Sequence, residues 1–268
     1  MVEPARDILT LWTNDPARVA WAGRHGIDRV GLDLETLGKA ERQQGLPTWI
    51  SPHRIEDLAR IAPLKGDATL FVRCDPLHAG SERQIDAVLD AGVGVLMLPN
   101  FTTAREVESF VRIVAARARV VPLIERRTAL DAIEDIAALG VDEVHIGLND
   151  LSIDLGLSNR LVAMASDEVE DFAERARGVG VRFGLGGLGR ALDETLPVPS
   201  DIVYAQHARL GASGALLARS FFTPEMMEHD FAQEMTALRT RLEYWRDQPP
   251  ITLEQARRRL MNYIGVAT

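Results

Sequence analysis

Eight short apolar runs recur along the chain, and the stretches between them place apolar residues at helical spacing. The runs are "DILTLWTND" (7–15), "DRVGLDLE" (28–35), "TLFVRCD" (69–75), "VGVLMLPN" (93–100), "RVVPLIE" (119–125), "DEVHIGLND" (142–150), "VRFGLGG" (181–187) and "GALLARSF" (214–221). Nearly continuous apolar runs of this length read as strands buried on both faces, as in a parallel sheet. The intervening stretches, such as "SERQIDAVLDAG" and "TAREVESFVRIVAAR", read as helices, several with a cap at Ser51 or Pro52, Ser81 and Thr103. Eight strand–helix units in roughly 250 residues predict a (β/α)8 TIM barrel. A doubly wound open sheet is the competing fold, and the lack of a long spacer or a switch point favours closure.

No linker, low-complexity stretch or charge block interrupts the pattern, so residues 1–268 read as one TIM-barrel domain. A helical extension follows over about 223–268, with "TPEMMEHDFAQEMTALRTRLEYWRDQ", the pair Pro249 and Pro250, and "TLEQARRRLMNYI". The barrel does not require it. It is expected to cover the barrel bottom or to pack on a neighbouring subunit.

Composition narrows the function classes. At 268 residues, 46% hydrophobic and 26% charged, the chain is long enough for a large core. A formal net charge of -9 argues against a nucleic-acid groove or an anionic membrane surface. No apolar run approaches the roughly 20 residues needed to span a bilayer. "MVEPARD" lacks the apolar segment of a signal peptide. The single cysteine, Cys74, leaves no internal disulfide and reads as a packing residue. Together these features point to a cytoplasmic protein.

The chemistry lies at the strand ends, where barrel enzymes carry it. In chain order those ends read Asn14, Glu35, Arg73, Asn100, Glu125, Asp150, Gly187 and Arg219 with Ser220. Glu125 and Asp150 end consecutive strands joined by one helix, apolar at Leu130, Ile133, Ile136 and Leu139, so the two strands should be neighbours. Two hard oxygen ligands on adjacent strand tips make a site for Mg²⁺ or a similar ion. The competing role is helix capping, open to Asp150 above all. Arg73 offers a fork for a carboxylate or enolate oxygen, or a salt bridge to Asp33 or Glu35. Glu35, nearer the mouth than Asp33, would bind a metal-bound water or orient Arg73. His53 is a candidate for proton transfer, against the plainer reading of a solvated helix-start residue. His145 alternates against Asp150 and is expected to face the outer helices, and His207 is expected to be structural. "FGLGGLG" matches a dinucleotide fingerprint only formally, because the strand is the seventh and Pro197 and Pro199 leave no room for the helix that would hold a pyrophosphate.

These motifs resemble the HpcH/HpaI aldolase and citrate lyase beta-subunit superfamily. "VVPLIERRTALDAIEDIAALGVDEVHIGLNDLS" is similar to its metal-site block, "FVRCDPL" with "DAGVGVLMLPN" to its arginine and Met-Leu-Pro strands, and "VGLDLETLGKAERQ" to its Asp-Leu-Glu block. The likeness runs over about residues 8–222, and "DLETLGKAERQQG", "TWISPH", "GLNDLS" and "ARSF" look most like a subgroup found among polysaccharide and sugar biosynthesis genes. The resemblance implies a class II aldolase or carbon–carbon lyase that uses Mg²⁺ (or Mn²⁺ or Co²⁺). Carried over by position, Glu125 and Asp150 would ligate the metal, and Arg73 would stabilise the enolate. Gly147, Leu148 and Asn149 would contact the donor carboxylate. The chain departs from the family pattern at Thr36, where pyruvate aldolases carry a histidine, at Leu123 in place of glutamine, and at Arg126 in place of threonine. A metal-bound water or His53 would replace the missing histidine.

The expected function is a divalent-metal-dependent lyase acting through the enolate of a pyruvate-like 2-oxo acid or a sugar-derived acid. Its partner would be a small-molecule oxo acid, with neither nucleic acid nor membrane, and the resemblance implies a homo-oligomer. An acyl-CoA ester lyase of the citrate or malyl-CoA type is the first alternative; it would need a phosphate-binding cluster, for which only Lys39, Arg42 and Arg54 offer themselves. A non-catalytic binding module on the same barrel is the second.

Overall fold

The computed structural model describes residues 6–39 and 51–265. Arg42, most of "KAERQQG" and the first residues of "TWISPH" lie outside the described residues. All eight expected strands form: β1 (Ile8–Trp12), β2 (Arg29–Asp33), β3 (Thr69–Arg73), β4 (Val95–Leu98), β5 (Arg119–Ile124), β6 (Glu143–Ile146), β7 (Arg182–Leu188) and β8 (Gly214–Leu217). Each pairs in parallel with the next, and β8 pairs with β1. The architecture is therefore a closed (β/α)8 barrel with C-terminal helices, and the open sheet is excluded.

Most strands end a few residues earlier than the apolar pattern suggests. The polar residues at their tips leave the ladder and turn into the loops over the mouth. The difference that matters most for the site is at β6, which stops at Ile146. Asp150 stands in the first turn of a helix, Leu148–Asp154, and not on a strand. The single helix expected before β6 is two short ones, Arg127–Asp131 and Ile133–Ala137, broken at Ala132. Leu130, Ile133 and Ile136 are nonetheless all buried, as their spacing implies. Thr103 begins its helix as expected, its N–H donating to Glu106 at 2.9 Å. Ser81 is instead the first residue of its helix, after Gly80, and the described helix beyond Ser51 and Pro52 starts at Asp57.

The main core lies between the strands and the ring of helices. Inside the barrel sits a smaller apolar layer of Phe71, Val95, Met97, Val121 and Leu123, with Trp12 against it. Beneath that layer, Arg29 at the start of β2 reaches across to Glu143 at the start of β6, with N–O distances of 2.9 and 2.6 Å. Above it lie the charged groups of the mouth. The barrel is thus filled in tiers, charged at both ends and apolar between.

The C-terminal extension forms two helices, Glu228–Arg246 and Pro250–Tyr263. The first buries Phe231, Met235, Leu238, Leu242 and Trp245. Its Arg239 donates to the carbonyls of Asp7 and Gly26, and Arg246 pairs with Asp7, so it grips the residues that lead into β1 and β2. Among the described residues no helix is long and apolar enough to cross a membrane.

Candidate active site

A cavity of about 650 Å³ opens at the carboxyl ends of the strands. It is lined by nearly every residue the sequence nominates: Arg73, His53, Glu125, Gly147, Leu148, Asn149 and Asp150. Trp12, Lys39, His145, Arg160 and Arg219 also line it.

Arg73 ends β3 and is buried. Its Nε and Nη2 donate to the two oxygens of Asp33, each at 2.8 Å. Nη2 also lies 3.2 Å from Glu35, and Nη1 lies 3.9 Å from Glu125. The guanidinium sits over the Trp12 ring at 4.4 Å, and that ring stacks on Phe71. Lys39 closes the cluster, its Nζ 3.0 Å from Asp33 and 3.3 Å from Glu35. Burial alone would raise the Asp33 carboxyl, but Arg73 and Lys39 hold it well below the usual carboxylate range. Burial opposes the Arg73 charge too, and Asp33 and Glu35 outweigh it. The expected salt bridge and the expected binding fork therefore coexist. Asp33 holds the Nε–Nη2 edge of the guanidinium, while Nη1 lies toward Glu125.

Glu35 is placed differently from a group that reacts. Its side chain is completely buried against Arg73 and Lys39, outside the cavity lining. Of its two expected roles, the structure brings together the partners of the second, orienting Arg73. Lys39, one of the three cations considered for a coenzyme phosphate, is buried on Asp33 and Glu35 and is committed there.

Glu125 follows β5 and is buried. Its Oε2 accepts the N–H of Asn100 at 2.9 Å. Its stem rests against Gly147, where a Cβ would lie 2.5 Å from Cγ and 2.7 Å from Oε1, so only glycine leaves room for this carboxylate. Burial, reinforced by Asp150 and Glu35 and opposed by Arg73, pushes the Glu125 carboxyl up to about 8. The two expected metal ligands thus sense each other's charge, and Arg73 does not fully offset them. A divalent cation between them would offset that repulsion. Among the described residues no three His, Cys, Asp or Glu side chains converge as a metal cage. Two carboxylates with the remaining positions left to water and substrate suit Mg²⁺, which keeps part of its hydration shell.

Arg126 joins the supports of the two acids. Its Nε and Nη2 donate to Asn100 Oδ1 at 3.0 and 2.8 Å, and its Nη1 donates to Asp154 at 3.0 Å. Asn100 holds Glu125, and Asp154 ends the helix that bears Asp150. The departure from the family's threonine therefore brings a brace. Gly147 corrects one expectation: its N–H donates to Ile124 O at 2.8 Å, so it serves the ladder and not a donor carboxylate. Leu148 and Asn149 line the cavity next to it.

His53 Nδ1 accepts the Asp33 N–H at 3.1 Å, which leaves the proton of the neutral ring on Nε2. Burial lowers its pKa, against the pull of Asp33 and Asp57. His145 overturns its expectation. It points into the barrel, lies against Gly184 and shares Glu143 with Arg29 through Nε2 at 2.8 Å. Parity explains this, because β6 ends at Ile146 and Asp150 belongs to a helix, so strand alternation never linked the two. His207 is buried with Nε2 3.0 Å from Gly214 O, a structural place. Burial and Asp75 push the Cys74 thiol up to about 12, which removes it as a nucleophile.

The sequence does not nominate Trp12 or Arg160, and it nominates Lys39 only for a coenzyme phosphate. Trp12 was within reach, since it shares strand parity with Asn14, the nominated tip of the first strand. Nothing in spacing shows Lys39 turning back toward Asp33.

Comparison with curated proteins gives no match. A family model, HpcH/HpaI aldolase/citrate lyase, matches residues 9–181. That span begins in β1 and takes in the strands that carry Arg73, Glu125 and the Asp150 helix.

Proposed function

Because the chain belongs to the HpcH/HpaI aldolase/citrate lyase family, we propose that it is a divalent-metal-dependent carbon–carbon lyase working through the enolate of a 2-oxo acid. Members of the family commonly use a divalent metal. The observation that carries the reading is the juxtaposition of Arg73 and Glu125, with the Asp150 charge beside them, in one cavity.

Glu125 and Asp150 would hold the cation, which when bound polarises the 2-oxo group as a Lewis acid. Arg73 has Nε and Nη2 fixed on Asp33, so Nη1 is the corner that meets the donor oxygen as negative charge develops on it. Trp12 and Phe71 floor the site and exclude water from beneath the guanidinium. His53 presents Nε2–H to the cavity and would orient the water that returns a proton to the donor carbon after bond cleavage. Asn149, exposed at the rim, and Leu148 would meet the donor carboxylate. The acyl-CoA reading loses support here, because Lys39 is already paired.

Proton–deuterium exchange at the methyl group of pyruvate in D₂O, followed by NMR, tests the reading. Exchange is expected with Mg²⁺ or Mn²⁺, absent with EDTA, and lost in Glu125→Gln. Exchange that persists with EDTA would remove the metal, and no exchange with any metal would remove pyruvate as donor.

A further inference from the structure

Asp33, Lys39, Arg73 and Glu125 come from the β2, β3 and β5 side and pair among themselves. Two arginines come from beyond β6 and β8, where Asp150 also lies, and Arg219 senses Asp33 across the mouth. Arg160 opens the helix Arg160–Ala165 beyond β6, Arg219 follows β8, and both line the cavity.

Arg160 is built into its place. Its Nη1 donates to Gly187 O at 3.4 Å, and among the described residues no carboxylate pairs with it. Gly187 takes φ +96, and a Cβ there would come 1.9 Å from Nη1. The C-terminal helix anchors the Arg160 helix: Arg257 Nε donates to Ala165 O at 3.0 Å, and Leu161 packs with Ala165 and Leu260. Burial lowers the Arg160 pKa, and Arg219 lowers it further. Two repelling guanidinium groups held toward one partly buried space are stabilised when an anion enters it. The cavity, at about 650 Å³, also holds more than a three-carbon donor.

We propose that Arg160 and Arg219 form an anion subsite for the far end of the second substrate, an acceptor that carries a carboxylate or phosphate away from its reacting carbonyl. Its assignment to an acceptor rests on the lyase reading, whereas anion binding does not. The donor sits deep, on Arg73 and Glu125, and the acceptor tail lies across the mouth.

Equilibrium dialysis of EDTA-treated protein at low ionic strength, with inorganic phosphate and with succinate as probes, tests this without turnover. Wild type is expected to bind at least one probe, and the tighter of the two identifies the head group. Arg160→Gln and Arg219→Gln should each weaken binding roughly 10- to 100-fold, the loss of one charge-assisted contact. Both side chains are partly exposed, and circular dichroism checks that the variants fold. Failure of wild type to bind either probe, or unchanged binding in the double variant, overturns the subsite. The pyruvate exchange assay reads the donor half separately. Exchange without anion binding sinks the subsite alone, and anion binding without exchange in any metal sinks its assignment to an acceptor.

Discussion

Gly147 shows how much a single residue decides. The Glu125 carboxylate occupies the space in which any larger residue at 147 would put its Cβ. Gly147→Ala is therefore expected to push Glu125 off its hydrogen bond to Asn100. The cost in stability should be about 1–3 kcal/mol, as for other overpacked sites. The cost in metal-dependent turnover should be larger, about 100-fold, since small misplacements at a reacting centre weigh heavily. Normal turnover with a lowered melting temperature would show that Glu125 tolerates the shift. At this scale the sequence was informative where a residue type is unusual for its place. Glu125 and Arg73 stood out because acids and arginines have no packing reason to close an apolar run. Parity put Asp33 and Glu35 on one face but not at the right depth, since Asp33 lines the cavity and Glu35 is buried outside it. Lys39 and His145 could not be placed, because their positions depend on a backward turn of the loop and on where β6 ends.

Between elements, the important contact is Arg126. It fixes the loop after β4 to the helix that bears Asp150, and so sets the spacing of two acids that come from different parts of the chain. Arg126→Met should weaken Mn²⁺ binding roughly 10- to 100-fold, as outer supports of a metal site do. Arg126→Lys should not restore it, because an ammonium cannot span both partners in the plane of a guanidinium. A titration followed by electron paramagnetic resonance reads both variants, and wild-type affinity in Arg126→Met would show that the acids hold their spacing unaided. All eight strands were legible from buried apolar runs, because a parallel sheet hides both faces of every strand. Their ends were less so. The residues after Ile146 are still apolar and polar in turn, yet they wind into a helix, since Gly147 breaks from the ladder and its N–H is the last to join it.

For the molecule as a whole, the Arg29–Glu143 strut is the most consequential contact outside the site. Burial would raise the Glu143 carboxyl, but His145 and Arg29 bring it down to about 2. A carboxylate lowered by folding adds stability above its ordinary pKa, and that stability is lost as pH falls toward the folded value. Wild type is expected to lose about 2 kcal/mol from this group between pH 6 and pH 3, measured by urea unfolding. Glu143→Gln should be less stable at pH 6, because it leaves Arg29 buried without a partner, and its decline with acid should be shallower by that amount. An equal decline in both proteins would place the acid sensitivity elsewhere. The strut could not be read from spacing, since it joins strands on opposite sides of a barrel whose closure must first be known.

With the strut below and the Phe71–Leu123 layer above it, the barrel is filled from beneath, and the cavity among the described residues opens at the mouth. Whatever enters last, nearest the Arg160 rim, must leave first. Cleavage would then release the carbonyl fragment ahead of the three-carbon fragment, and in the reverse direction the smaller molecule would have to board first. The order of traffic is set by the plug at the bottom of the fold, far from any reacting atom.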